Sequence, residues 1–394
     1  MKTLQVFEPG CDGVFRHVEK LCAHLNEAGT ATDLLYSSVR GSAGLHTFVS
    51  EQKQRGAETH DLQIGPAPGF SDMRAISRLV SLSQKNKYDV IHAHSSKAGA
   101  LVRLAAPFLK TRQLFYTPHA YYGMGAQPSL PTMFYNTVER VLSRVGDTIN
   151  VSPDEARFGQ NHLRISPAAM HVIPNPVDAD RFTPATPAQR VRARAELGIP
   201  SDARVIAYAG RFSFQKDPRT AFDAFAHCAR TDARAHLVYL CKKALRNEAE
   251  AFAQFQGLAD RITFVDYLED VRPFYQSANI FLLTSRYEAG WPFALLEAMA
   301  CNLPIVTSTC PGMSDIDKSG LNQCWTFGVG SHEACRAALK TALDQLIARP
   351  ANHREIALRR FSPNACFGEV HRLYRRKVAN SGREQSARRI AIPV

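Results

Sequence analysis

Residues 281–308, FLLTSRYEAGWPFALLEAMACNLPIVTS, constrain the fold more than any other stretch. They read as strand, loop, helix, turn and strand. Phe281, Leu282 and Leu283 form the short apolar run of a buried parallel strand. Gly290, Trp291 and Pro292 lead into a helix, and Pro292 suits its first position, where an N–H would go unpaired anyway. Residues 293–301 are rich in Ala, Leu and Met, which favour helix. Asn302 falls where a left-handed residue ends a helix, Pro304 stops it, and Ile305 and Val306 open the next strand. Ligands of open α/β sheets sit beyond the carboxyl ends of the strands. A helix N-terminus there offers free N–H groups to an anion. Glu288 and Glu297 flank that point. Carboxylates beside a phosphate would be repelled, so sugar hydroxyls are their expected partners.

The segment resembles the paired-glutamate motif of the retaining glycosyltransferases of family GT4, whose fold is GT-B. That family's pattern runs close to EGxPxxLLEAMAxGxPVV. Here LLEAMAC-LPIV matches closely, but eight residues rather than seven separate Glu288 from Glu297. The extra residue falls within 289–291, and Glu297 keeps its register to the helix. The resemblance implies an α/β chain of GT-B type, two Rossmann-like domains facing across a cleft, the second holding a nucleotide-sugar.

With 394 residues, two domains are the natural expectation. At 45% hydrophobic and 21% charged, the composition is that of a globular chain. No apolar run approaches the length of a membrane span, and MKTLQVFEPG lacks a signal-peptide core, so a cytoplasmic location is expected. Nine scattered cysteines in no zinc spacing fit a reducing compartment. The formal charge of +12 suits nucleic acid, an anionic membrane surface or a phosphorylated substrate. No nucleic-acid signature is present, so no nucleic-acid partner is expected.

The first half opens as strand, glycine turn and helix. Residues 4–7 are the strand, and Val14, Val18, Leu21 and Leu25 carry helical spacing up to Gly29. Gly13 matches the second of two adjacent glycines that GT4 members often carry, and the resemblance implies a backbone approach to ligand there. Val90 and Ile91 close a strand, after which Ser95 or Ser96 can cap a helix. His92 and His94 share one face of that strand. No third ligand is suggested nearby, so no metal is expected. HAHSSKAG, residues 92–99, resembles a segment of GT4 enzymes that build bacterial surface polysaccharides. By the resemblance, His119 meets the donor sugar and Asn175 sits at a hinge turn. The aromatic loop from Tyr121 and Tyr122 to residue 129 is an expected acceptor contact.

In the second half, a strand over 204–208 is followed by Gly210 and Arg211, then four residues, then Lys216. This resembles the family's donor-diphosphate pair. An arginine fork and a lysine point charge would meet the leaving diphosphate. Glycines usual after the next strand are replaced by Lys242 and Lys243, and Asn279 stands where an aspartate is usual. Asp315 and Asp317 spell the DxD of another glycosyltransferase fold without its surroundings.

The expected domains are 1–185 on the acceptor side, 186–360 for the nucleotide-sugar, 361–378 as a helix crossing back, and 379–394 as a disordered tail. The expected activity is hexosyl transfer from a UDP- or GDP-sugar to a hydroxyl of a glycan or polyprenyl-diphosphate-linked saccharide, with retention, in exopolysaccharide, capsule or lipopolysaccharide synthesis. Arg211, Lys216, Glu288 and His119 are the expected catalytic residues. Gly13, Asn175, Gly210, Gly290, Trp291, Phe293 and Glu297 are the expected substrate contacts. No cofactor is expected. A nucleotide-sugar epimerase of the same fold, or a non-catalytic relative kept as a scaffold, is the alternative. Arg103, Lys110 and Arg112, with Arg372, Arg375, Arg376 and Lys377, form two basic clusters suited to the inner face of the cytoplasmic membrane.

Overall fold

The computed structural model describes residues 1–125, 129–241, 246–255, 257–266, 270–346 and 351–390. The chain divides into two compact units, one of residues 1–175 with 363–394 and the other of residues 176–362.

The first unit alternates strand and helix: β1 (Lys2–Phe7), α1 (Asp12–Glu27), β2 (Ala31–Tyr36), α2 (Ala43–Gln54), β3 (Thr59–Asp61), α3 (Ser71–Asn86), β4 (Val90–His94), α4 (Ser96–Ala105), β5 (Gln113–Thr117), α5 (Leu130–Leu142), β6 (Asp147–Asn150), α6 (Pro153–Leu163) and β7 (Met170–Val172). Its sheet has the order β3-β2-β1-β4-β5-β6-β7, and the pairs are parallel. Helices cover both faces of such a sheet, so central strands lack polar alternation. All five residues of β4, VIHAH, are buried, and both of its histidines are therefore interior.

The second unit contains α7 (Pro187–Glu196), β8 (Arg204–Ala209), α8 (Pro218–Ala229), β9 (Ala235–Leu240), α9 (Arg246–Phe255), β10 (Ile262–Val265), α10 (Arg272–Ser277), β11 (Ile280–Leu283), α11 (Phe293–Ala300), β12 (Ile305–Ser308), β13 (Cys324–Phe327), α12 (His332–Asp344) and α13 (His353–Phe361). Its sheet has the order β10-β9-β8-β11-β12-β13, again parallel. A core cluster forms on each side of it: one gathers Leu283, Leu295, Met299 and Ile305, the other Ile206, Phe222, Phe225 and Leu237. Burying each such side chain contributes roughly 1.5–3 kcal/mol. Both sheets reverse direction once, between β1 and β4 and between β8 and β11. Those switch points are where open α/β sheets receive ligands.

A final helix, α14 (Pro363–Ile390), belongs to the first unit. Phe367, Val370, Leu373 and Tyr374 pack there against Leu21, Leu25, Phe115 and Ile149. The helix runs past the expected end at residue 378, beyond which polar composition suggests disorder. Arg383, Glu384, Gln385 and Ala387 are good helix formers, so polarity alone does not end the helix. Residues 391–394 lie outside the described residues.

Local corrections have simple causes. Pro292 is the N-cap of α11, not its first helical residue, with extended ψ of 153°. Asn302 does take the left-handed conformation, with φ 57°. Its N–H donates to Met299 O and that of Leu303 to Ala298 O, a Schellman close. Ser95 heads α4 without capping it, because its hydroxyl donates to the carbonyl of Glu8. Tyr121 is a core residue whose hydroxyl donates to Asn150 Oδ1, which leaves only Tyr122 of the aromatic pair exposed. Residues 126–128 of that loop, with Lys242, Lys243, Tyr267 and Leu268, lie outside the described residues.

Candidate active site

At the switch point of the second unit, the loop after β8 meets the loop after β11. The hydroxyls of Tyr208 and Thr284 donate to the carbonyl of Lys216, at 2.7 and 3.0 Å, and fix its backbone. Lys216 Nζ then forms an ion pair with Glu288 Oε1, both side chains largely buried. Ser285 Oγ donates to the same oxygen at 2.6 Å. Glu288 is held from behind as well, its N–H donating to Pro311 O at 2.8 Å. The structure thus joins two residues that sequence places 72 positions apart.

Around them stands a second, unforeseen pair. Asp217 takes φ 46° just before α8 and accepts from Arg286 at 2.9 Å. The Arg286 guanidinium lies 4.6 Å over the ring of Phe214. Arg211 is exposed beside them, its guanidinium donating to Gln215 Oε1 at 3.2 Å. Gly210 follows β8 directly, and an added Cβ would lie 3.2 Å from Lys216 Cγ.

Glu297 lies on α11, buried, and accepts from Tyr275 OH at 2.7 Å. Gly290, Trp291 and Phe293 are buried too. Trp291 stacks on Phe361 at 5.1 Å and donates through Nε1 to Asp315 Oδ1. Asp315 of the DxD sequence therefore anchors an indole. A separate cavity of about 670 Å³, lined by Arg190, Arg204, Asn279 and Asn302, opens at the amino-terminal ends of these strands and contains none of the site residues.

At the switch point of the first unit, Gly13 is exposed in the first turn of α1, with nothing within 4 Å of an added Cβ. The same edge gathers four histidines. His94 Nε2 lies 2.9 Å from Gln5 Oε1, and His17 Nδ1 lies 2.9 Å from Asn175 Oδ1. Amide oxygens only accept, so both of those nitrogens carry the proton. His94 Nδ1 is then an acceptor and receives the N–H of His119 Nε2, 3.3 Å away. His92 turns to Tyr374 OH and Thr117 Oγ1 instead, at 2.5 and 2.8 Å. Burial lowers the His17 imidazole to about 4, against the Asn175 hydrogen bond. Burial, then the neighbouring histidines, holds His92, His94 and His119 well below the usual range. All four are neutral near pH 7. Asn175, expected at a hinge turn, is thus the partner of His17.

His119 and Ala120 both have positive φ, 55° and 84°. Glu155 sustains that turn. Its Oε1 accepts from Ala120 N at 2.6 Å and its Oε2 from Val151 N at 2.7 Å. Burial pushes its carboxyl up to about 8, against those two hydrogen bonds. An unfolded chain ionises this group near 4.5, whereas the folded chain keeps the proton until about 8. Stability from this group is therefore full below about 4.5 and falls as pH rises toward 8, by at most roughly 5 kcal/mol. Glu155→Gln cannot ionise. Denaturant unfolding at pH 5, 6.5 and 8 should show the variant gaining on the parent as pH rises. Parallel curves would mean that the two N–H donors keep the carboxylate ionised throughout.

Similarity to known proteins agrees with this architecture. The model of glycosyltransferase family 4 matches residues 11–181, and that of glycosyl transferases group 1 matches residues 189–357. Together the two glycosyltransferase models span most of the chain. An Escherichia coli UDP-Gal:alpha-D-GlcNAc-diphosphoundecaprenol alpha-1,3-galactosyltransferase is 26% identical over 64% of this chain. That match spans 65% of the relative, just under two thirds of its length. Sucrose-phosphate synthase from Thermosynechococcus elongatus superimposes with a TM-score of 0.79 at 22% identity, over 96% of this chain and 99% of that one. Anabaena HepE, solved in complex with UDP-glucose, superimposes with a TM-score of 0.75 at 17% identity, over 95% of this chain and 99% of that one. These likenesses establish the fold, two Rossmann-like domains of GT-B type.

Proposed function

We propose that this glycosyltransferase moves a hexose from a nucleoside-diphosphate sugar to a hydroxyl of a lipid-linked saccharide, with retention at the anomeric carbon. The Lys216–Glu288 pair at the carboxyl ends of β8 and β11 carries the reading. A diphosphate needs cations and a sugar needs acceptors, and this point presents both. Lys216 and Arg211 meet the leaving diphosphate, with Arg286 near enough to join them. Glu288 accepts from sugar hydroxyls, and Glu297 is the expected ribose contact. His119 is the sugar contact expected from the first unit. A front-face departure lets the leaving phosphate oxygen take the acceptor proton. No second carboxylate base is then required, unlike the pairs of glycosidases. UDP is the favoured nucleotide, because both the E. coli relative and the Anabaena structure carry uridine donors in their names. Those names also favour transfer over epimerisation or a scaffold role. The test is a melting-temperature screen against UDP- and GDP-sugars, since a ligand of the native state alone raises the melting point. Proton NMR of the product then reads the anomeric configuration. Binding of no nucleotide-sugar, or an inverted product, would overturn the reading.

The lipid-linked acceptor implies work at a membrane, and no described helix is long and apolar enough to cross one. We infer peripheral attachment through the first unit, on fewer charges than the sequence suggests. Arg103 is buried and paired with Glu139 at 2.8 Å, and Lys377 with Asp147 at 2.6 Å. Lys110, Arg375 and Arg376 remain exposed, as do Arg112 and Arg372, which pair with Asp89 and Glu369. Such residues contribute about 1 kcal/mol each near an anionic leaflet. The protein should float with vesicles containing anionic lipid, reversibly with salt, and little with neutral ones. Arg375→Glu with Arg376→Glu should weaken it. Equally poor flotation with both vesicle types at low salt would remove the attachment.

A further inference from the structure

The histidine cluster of the first unit has more order than a proton network needs. We propose that His17, His94 and His119 form a binding site for a single transition-metal dication of the zinc class. The three side chains come from different elements: α1, the end of β4 and the turn after β5. One ring nitrogen from each lies within 4.8 Å of the other two. His94 Nδ1 and His119 Nε2 are 3.3 Å apart. Zinc–imidazole bonds of about 2.0–2.1 Å around a tetrahedron place two ligand nitrogens about 3.3 Å apart. That edge is therefore already at its bonded length. The other edges, 4.8 Å at most, need to close by no more than about 1.5 Å.

The outer contacts point the same way. Metal-bound histidines donate their other ring N–H to an oxygen, which fixes the tautomer and turns the lone pair toward the ion. His94 does this to Gln5 Oε1 and His17 to Asn175 Oδ1. Gln5 is wholly buried and Asn175 nearly so, which makes them rigid supports. His119 completes the set once its Nε2 proton moves to Nδ1, a change of tautomer. Three neutral imidazoles without a carboxylate favour zinc, cobalt, nickel or copper over magnesium or calcium. The fourth position is left to water or a small donor, as in open zinc sites. His119 is the more accessible of the three, so the ion enters past it. His92, 4.0 Å from His94 between ring centres, is excluded because both its nitrogens face hydroxyls.

The test is a cobalt titration of the whole protein, followed by visible absorption and by competition with zinc. The expected result is one ion per chain, a tetrahedral cobalt spectrum without thiolate charge-transfer bands, and displacement by zinc. His119→Gln should weaken binding at least about 100-fold, and Asn175→Ala about tenfold through the tautomer it fixes. His92→Gln should bind normally. His119 is at a turn and only partly covered, so its variant is expected to fold, and the melting curve of each variant checks this. Absence of a cobalt spectrum would overturn the proposal. So would a spectrum unchanged in His119→Gln, or one dominated by thiolate bands, which would place the ion on cysteines. If the sugar contact proposed for His119 also holds, zinc should inhibit transfer and a chelator restore it. Metal binding is read without turnover, so either result stands alone.

Discussion

Lys216→Ala should lower the rate of sugar transfer by roughly 10²–10³, the usual loss when one preorganised charge at a developing anion is removed. Two effects combine in that variant. The leaving diphosphate loses a cation, and Glu288 loses the partner of its buried carboxylate. Removing one member of a buried pair typically costs about 3–5 kcal/mol of stability, because the other charge stays behind. The pair keeps some exposure at Lys216, so the lower end applies. A second variant separates the effects. Lys216→Met with Glu288→Gln leaves no stranded charge, and its melting temperature should return most of the way to that of the parent. Its transfer rate should not recover. Initial rates with saturating donor, alongside melting curves, make the comparison. A rate within tenfold of the parent in Lys216→Ala would remove the pair from the proposed chemistry.

Much of this site could be read from the sequence because its signals are local. An apolar triplet, a proline, a run of helix formers, an asparagine and a second proline define β11, α11 and β12 within 28 residues. Arg211 and Lys216 lie on one βα loop, so their spacing alone joins them. Residues 30–88 gave no assignment. There β3 has only three residues, too few to show a strand period. His17 is inconspicuous in the sequence for a different reason. On α1 it shares the buried face with Phe15, Val18 and Leu21, where a histidine reads as one more core position. Its meaning appears only when the strand order brings the ends of β1, β4 and β5 to one edge. Residues 152–155 spell a capping box, which would give Glu155 a purely local partner. Ser152 does accept from the Glu155 N–H, but the carboxylate reaches Val151 and Ala120 rather than the cap residue. In each case the missing information is long-range pairing, which no window of sequence contains.

Gly312→Ala should do comparable damage without touching a charged group. Gly312 has φ 94°, and a Cβ there would lie 2.0 Å from the carbonyl oxygen of Glu288. Left-handed or similarly sparse backbone costs an alanine on the order of 1–3 kcal/mol. The contact itself cannot be absorbed by a rotamer change, because both atoms belong to the backbone framework. Relief needs the Glu288 peptide to retreat by about 1 Å. The Glu288 Cα moves with that carbonyl, against the hold of its own N–H on Pro311 O, and carries the carboxylate away from Lys216 and Ser285. A displacement of about 1 Å at a reacting centre can cost on the order of 10²-fold in rate. Two further glycines divide strain from displacement. Gly320 has φ 80° with nothing within 4 Å of an added Cβ, so Gly320→Ala pays backbone strain alone and should leave transfer intact. Gly328 has neither a positive φ nor a close neighbour, so Gly328→Ala should change neither stability nor rate appreciably. If Gly312→Ala melts no lower than Gly320→Ala and transfers sugar at the parent rate, the turn at 311–312 does not set the position of Glu288. If its rate falls while Gly320→Ala keeps full activity, the loss belongs to displacement of that carboxylate.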